Sequence, residues 1–380
     1  MKFPNLGICF FFFFILFDIA AAQSAFLKIQ LPNVPLSEKR FGFFIFGNSF
    51  VDAGNNNYLN GTIRTRSNFP PYGESFFPIP TGRYCDGRII PDFLAEYAGM
   101  PFLPPFLDPN NSNYMNGVNF GSGGAPILPE STNETALSLQ TQIEFFKIVE
   151  KSIRKDMGNE TLSQTFLSNS VFLFNIGGGD ILHPFESSFD IFNTIESQEQ
   201  YANMVINNMT IALKEIYNLG GRKFGVLGVL PSGYLPSSRL AKNEEFIQKS
   251  NSLSKVYNKL LLIALQKLVK QLKGFKYSYV DAYNFFMQRI QNPTKYGFKV
   301  VDTACCGSDE FRGSYNCGRN TGTIPFSHCK NISDYLFYDS YHPTEKAYEQ
   351  FAKLIWSGGV DIVKPYSFKQ LFQSDSTFGV

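Results

Sequence analysis

The chain has 380 residues, enough for two average domains, although α/β folds of this size often form one unit. Its 34 lysines and arginines against 32 aspartates and glutamates leave a formal charge of +2 with no long run of either sign, which removes any electrostatic case for nucleic acid or an anionic membrane surface as partner. Forty-one phenylalanines and 19 tyrosines against a single tryptophan, Trp356, suit a well-filled core and an apolar cleft without identifying a ligand.

The N-terminus carries Lys2, the apolar run Ile8–Phe17 and small residues at Ala20 and Ala22, the pattern of a secretory signal peptide over residues 1–22. The run falls short of the roughly 20 residues that a spanning helix needs, so no transmembrane anchor is expected. Residues 23–380 then form one domain. Entry into the secretory route, ending outside the cell or in the vacuole or another endomembrane compartment, gives meaning to the Asn-x-Ser/Thr sequons at Asn60, Asn110, Asn133, Asn159, Asn208 and Asn331 as glycosylation candidates.

Four short apolar runs end in glycine-rich or polar turns: "FGFFIFGNS" (41–49), "VFLFNIGGGD" (171–180), "KFGVLGVLP" (223–231) and "FKYSYVDAY" (275–283). Near-continuous apolar character, rather than alternation, marks strands buried on both faces of a parallel sheet. "YMNGVNFGSGG" (114–124) is a weaker fifth candidate. Proline-rich stretches at 69–82 and 100–111 read as loops over the domain. Helical spacing runs through 91–99, which starts at Pro91 and stops at Gly99, and through 136–155, 200–221, 244–274 and 344–359. Strands alternating with helices predict a parallel sheet covered on both faces, with chemistry gathered beyond the carboxyl ends of the strands. The polar ends at Gly47-Asn48-Ser49, Gly121–Gly124 and Gly177–Asp180 would then share one rim.

Five cysteines remain after Cys9 is removed: Cys85, Cys305, Cys306, Cys317 and Cys329. The last four are close in sequence, so one or two local disulfides and a leftover thiol are expected. Adjacent Cys305-Cys306 and the lack of any C-x-x-C pair argue against zinc, and neither metal nor cofactor is expected.

Only three histidines are present, and a serine nucleophile needs an imidazole to take its proton. His342 lies in "YDSYHPTEKAY", with Asp339 three residues earlier and able to fold back onto the ring. His183 lacks an equally close acid, and His328 adjoins Cys329. The glycine clusters lack the spacing of phosphate-binding loops, but a glycine turn can aim backbone N–H groups at an oxyanion. No serine has the G-x-S-x-G context of the nucleophile elbow.

In chain order the sequence offers "FIFGNSFVDAGNN" (44–56), "PTGRYCDGRIIPDFLAE" (80–96), "GVNFGSGGA" (117–125), "FNIGGGD" (174–180), "ACCG" (304–307) and "YDSYHPTEKAY" (338–348). Together, over about residues 40–360, these blocks resemble the plant GDSL esterase/lipases of the SGNH hydrolase superfamily. The resemblance implies a three-layer α/β/α, flavodoxin-like fold with a central, mainly parallel five-stranded sheet, and acyl-ester chemistry on a small-molecule or lipid ester. It makes Ser49 the nucleophile, His342 the general base and acid, and Asp339 the group that orients it. It also implies an oxyanion hole from the backbone N–H of Ser49, a glycine N–H best matched by Gly123 with Gly124 as neighbour, and an asparagine side chain.

Two positions depart from the family pattern. Asn48 stands where Gly-Asp-Ser has its acid, and Gly179 stands where Gly-x-Asn-Asp has its asparagine. The first trades a carboxylate for an isosteric amide. The second deletes a donor whose loss costs on the order of 100 to 1,000-fold in rate. Three functions therefore stand at this point: ester hydrolysis, acyl transfer to an alcohol through the same acyl-enzyme, and a non-catalytic binding role on the same fold. The acyl group, the alcohol and the oligomeric state are not legible in the sequence.

Overall fold

The computed structural model describes residues 41–60, 65–128, 136–187, 192–319, 325–359 and 361–374. The expected signal peptide and the sequon at Asn133 lie outside them. Five strands, β1 (Phe43–Gly47), β2 (Gly117–Asn119), β3 (Val171–Asn175), β4 (Lys223–Leu227) and β5 (Lys276–Val280), pair in parallel in the order β2-β1-β3-β4-β5. This is the flavodoxin-like order. A sixth strand, β6 (Val363–Pro365), adds to β5 antiparallel at the edge. It is three residues long and ends in proline, so neither alternation nor an apolar run announces it.

Each central strand is buried on both faces because its two sets of alternating side chains enter two different cores. Phe44 and Phe46 of β1 meet Phe172, Phe174 and Phe224 on one face, while Phe43 and Ile45 meet Val171, Leu173 and Val280 on the other. On the first face the rings stack at 4.8 Å (Phe46–Phe174) and 5.7 Å (Phe172–Phe224), which accounts for part of the phenylalanine content.

The helices are α1 (Ile90–Tyr97), α2 (Leu139–Met157), α3 (Glu160–Asn169), α4 (Gly178–Ser187), α5 (Ile195–Asn218), α6 (Pro236–Leu240), α7 (Glu244–Gln271), α8 (Ala282–Gln291), α9 (Glu345–Ser357) and α10 (Phe368–Gln373). Helices α2, α5 and α7 cover the Phe44 face through Phe146, Leu213 and Leu261; α1, α8, α9 and α10 cover the other through Phe93, Phe285, Phe351 and Phe368. Ser138, Thr194, Asn243 and Thr344 cap the starts of α2, α5, α7 and α9 with side-chain oxygens.

The five helices expected from spacing are all present. Helix α4 is the instructive omission: the run read as "VFLFNIGGGD" stops being a strand at Asn175 and becomes a helix at Gly178. Two glycines at a helix start carry no periodic signal, so the turn was legible and the helix was not.

Sulfur atoms of Cys305 and Cys329 lie 2.04 Å apart and those of Cys306 and Cys317 2.09 Å apart, at disulfide distance, while Cys85 is a buried free thiol. Asn60, Asn110, Asn159 and Asn331 are exposed and Asn208 is half-buried. No helix among the described residues is long and apolar enough to cross a membrane.

Candidate active site

The strand order reverses between β1 and β3, and the crevice beyond their carboxyl ends is where such sheets bind ligands. Ser49 follows β1 there. The last residue of β1, Gly47, is fixed by Gln142 of α2, whose amide accepts from Gly47 N–H at 2.8 Å and donates to its carbonyl at 2.9 Å. Asn48 N–H then donates to the Asn175 carbonyl at 3.0 Å, so the turn carrying Ser49 is tied to the end of β3.

His342 and Asp339 arrive from the far end of the chain. Asp339 Oδ1 accepts from the backbone N–H groups of Tyr341 (2.9 Å) and His342 (2.8 Å), which folds this loop tightly. The ring Nδ1 of His342 sits 2.7 and 2.8 Å from the two carboxylate oxygens. A carboxylate can only accept, so Nδ1 carries the proton and Nε2 is left to accept from the Ser49 hydroxyl at 2.7 Å. Burial alone would raise the Asp339 pKa, but His342, the Tyr341 N–H and the Tyr72 hydroxyl outweigh it and hold the carboxyl below its usual range. Tyr72 Oη donates to Asp339 Oδ2 at 2.7 Å.

The block at 80–96 supports this loop from outside. Asp86 accepts from Glu345 N–H at 2.7 Å, and Arg88 pairs with the Glu345 carboxylate at 2.7 Å, anchoring the start of α9 just after His342. Behind them Arg83 and Asp92 form a buried two-pronged ion pair, both contacts at 2.7 Å.

The loop after Ser49 is organised by Asp52, which is fully buried. Its Oδ1 accepts from Gly54 and Asn55 N–H, each at 2.7 Å, and its Oδ2 from Gly123 N–H at 2.9 Å. Burial outweighs these bonds and pushes its pKa up to about 6. Asn55 and Asn56 donate to the carbonyls of Asn119, Gly121 and Gly123, locking the 119–123 turn to the Ser49 loop. These asparagines are therefore structural ties between the first and second glycine turns.

One expectation changes here. The N–H of Gly123 is committed to Asp52, so it is not free for a substrate oxygen. The backbone N–H groups of Ser49 and Gly124 make no hydrogen bond among the described residues. Gly124, with φ of 82°, is the glycine of this turn with a free donor.

Ser49 and His342 open onto a cavity of about 280 Å³, lined with Ile176, Ile181, Leu182, Val229, Leu230, Leu235, Phe286 and Phe351. Phe76, Phe77 and Phe106 are not in this wall: the first two pack on Phe102, and Phe106 stacks on Phe145 at 4.6 Å. Among the described residues the one cluster with metal-ligand atoms, Cys305, His328 and Cys329, consists of the bonded sulfur pair and an imidazole held by Glu74 at 2.6 Å. Asp52 and Tyr72 were not singled out from sequence. Asp52 had a local cue, an acid shortly before a glycine turn, whereas Tyr72 lies 267 residues from Asp339 and had none.

Residues 43–355 match the family described as GDSL-like lipase/acylhydrolase. The chain belongs to that family. It is 43% identical over 349 residues to GDSL esterase/lipase 1 of Arabidopsis thaliana, covering 90% of this chain and 93% of the relative. It is 42% identical to GDSL esterase/lipase 5 of the same plant, with 87% of each chain covered, and 41% identical to a GDSL lipase of Tanacetum cinerariifolium, with 92% and 93% covered. The GDSL match contains every residue of the Ser49–His342–Asp339 arrangement.

Proposed function

We propose that the protein is a serine-dependent carboxylic ester hydrolase in which Ser49, His342 and Asp339 act as a triad. The observation that carries this reading is the chain of short contacts from Ser49 Oγ through His342 to Asp339 at the mouth of an apolar cavity. Ser49 Oγ attacks the ester carbonyl carbon as its proton passes to His342 Nε2. The negative carbonyl oxygen is stabilised by the N–H groups of Ser49 and Gly124, the latter replacing Gly123 in that role. Collapse of the tetrahedral species breaks the ester C–O bond, and the alcohol leaves with the proton from His342. Water then gives a proton to Nε2 and attacks the acyl-enzyme, releasing the acid and restoring Ser49.

The aliphatic and aromatic wall of the cavity suits the hydrocarbon part of the ester, with the polar reacting atoms held at its Ser49 end. Residues 23–380 are read as one hydrolase domain that enters the secretory route behind a signal peptide at 1–22. The exposed sequons and paired sulfurs are compatible with glycosylation and disulfide formation there.

The test is labelling of the purified, glycosylated protein with a fluorophosphonate, together with turnover of p-nitrophenyl esters. Ser49→Ala is expected to lose both. Folded wild-type protein that neither labels nor turns over ester would overturn the reading in favour of a binding role.

A further inference from the structure

The turn that carries Ser49 also presents an unused donor. Asn48 is 8% exposed and lines the same cavity. Its Oδ1 accepts from the Phe50 N–H at 3.2 Å, which fixes the amide orientation, because the NH₂ group could not face that donor. Nδ2 is therefore turned the other way. It makes no hydrogen bond among the described residues. A Cβ placed on Gly178 would lie 3.6 Å from it, so this amide faces the start of α4 directly, with no side chain between them. The N–H groups of Gly178 and Gly179 are also without partners among the described residues, as the first turn of a helix leaves them. An unpartnered amide donor, a helix N-terminus and the Ser49 N–H thus line the same cavity, an arrangement that suits negative charge.

We infer that the Asn48 side-chain amide is a third donor to the oxyanion, supplying from the nucleophile's own turn the amide that Gly179 does not provide. This rests on the proposed esterase function and deepens it. An aspartate at position 48 could keep the Phe50 contact, but would present an acceptor where charge develops, so the isosteric change is not neutral here. The two departures noted in the sequence become one rearrangement: an amide is lost from α4 and another is gained across the crevice.

The experiment compares wild-type, Asn48→Asp, Asn48→Leu and Asn48→Asp combined with Gly179→Asn, all as full-length glycosylated protein, on p-nitrophenyl butyrate. Position 179 lies in the first turn of α4 and is not among the positive-φ glycines, so its backbone admits a residue with a Cβ. Asn48→Asp and Asn48→Leu are each expected to lower kcat by about 100 to 1,000-fold with KM changed only a few-fold, because the donor acts on the transition state. Fluorophosphonate labelling should slow in parallel, and the double variant should regain at least about tenfold through the amide restored at 179. Should either single variant hold kcat within about threefold of an active wild type, the Asn48 role is overturned while the esterase reading stands. A wild type with no turnover and no labelling overturns both.

Discussion

The Tyr72 hydroxyl donates to Asp339 Oδ2 at 2.7 Å, so a residue from a proline-rich loop completes the surroundings of the acid that holds His342. Burial, and next the nearby Asp339 charge, push the tyrosine pKa well above its ordinary value, so it remains a donor. Tyr72→Phe removes one bond to a buried carboxylate and leaves those from His342 and Tyr341. A hydrogen bond to a charged group is worth about 1.5 to 3 kcal/mol, so the variant should be less stable by that order and its Asp339 pKa should rise. The depressed pKa contributes stability that is present above the unfolded value and lost as pH falls through the folded one. Urea unfolding at pH 7 and at pH 3 checks this: the stability gap between wild type and variant should narrow at the lower pH.

Asp52 acts in the opposite direction. Its folded pKa of about 6 exceeds the model-peptide value of 3.8, so between those limits the folded state holds more proton than the unfolded state. This group's contribution to stability therefore falls as pH rises through that window, by about 1.4 kcal/mol per unit at most. Asp52→Asn removes the titration but turns an NH₂ group toward one of three N–H donors. The variant should show a flatter stability-against-pH slope between pH 4 and 6, and a kcat reduced by at least tenfold as the 119–124 turn shifts. A slope equal to wild type would mean that Asp52 does not titrate there.

Gly47 is the narrowest point in the connection between sheet and nucleophile. A Cβ at this position would stand 2.3 Å from the Asn175 carbonyl oxygen and 2.5 Å from Val51 Cγ2. The first neighbour is backbone in a central strand and cannot step aside. Gly47→Ala should cost about 1 to 3 kcal/mol of stability and displace Ser49. Thermal unfolding and kcat should fall together, with a loss in kcat of roughly tenfold or more.

The paired cysteines abut the site loop. Cys305 and Cys306 donate their backbone N–H groups to the carbonyls of Phe337 (2.9 Å) and Tyr338 (2.7 Å), immediately before Asp339. Cross-links closing separations of 24 and 11 residues each contribute about 2 to 4 kcal/mol in the chain-entropy account. Reduction, or Cys306→Ser with Cys317→Ser, should lower the unfolding midpoint and make activity more sensitive to temperature. Equal midpoints with and without reductant would show that these bonds add nothing to stability.

The sequence alone determined the parts whose physics is local. Buried strands announce themselves as apolar runs, helices as amphipathic periods with proline at a start or glycine at an end, and Asp339 with His342 as neighbours on one short loop. The family blocks supplied the pairing of that loop with Ser49. Only the tertiary structure decided which glycine N–H is free, because Asp52 claims that of Gly123 from 71 residues away. It alone decided that Tyr72 reaches Asp339, that the cavity wall comes from the segments following β3 and β4 together with α8 and α9, and that Asn48 faces Gly178. Donors and acceptors are interchangeable in sequence. Their availability is set by which partners the packed chain brings within hydrogen-bond distance, and at this site those partners come from segments far apart along it.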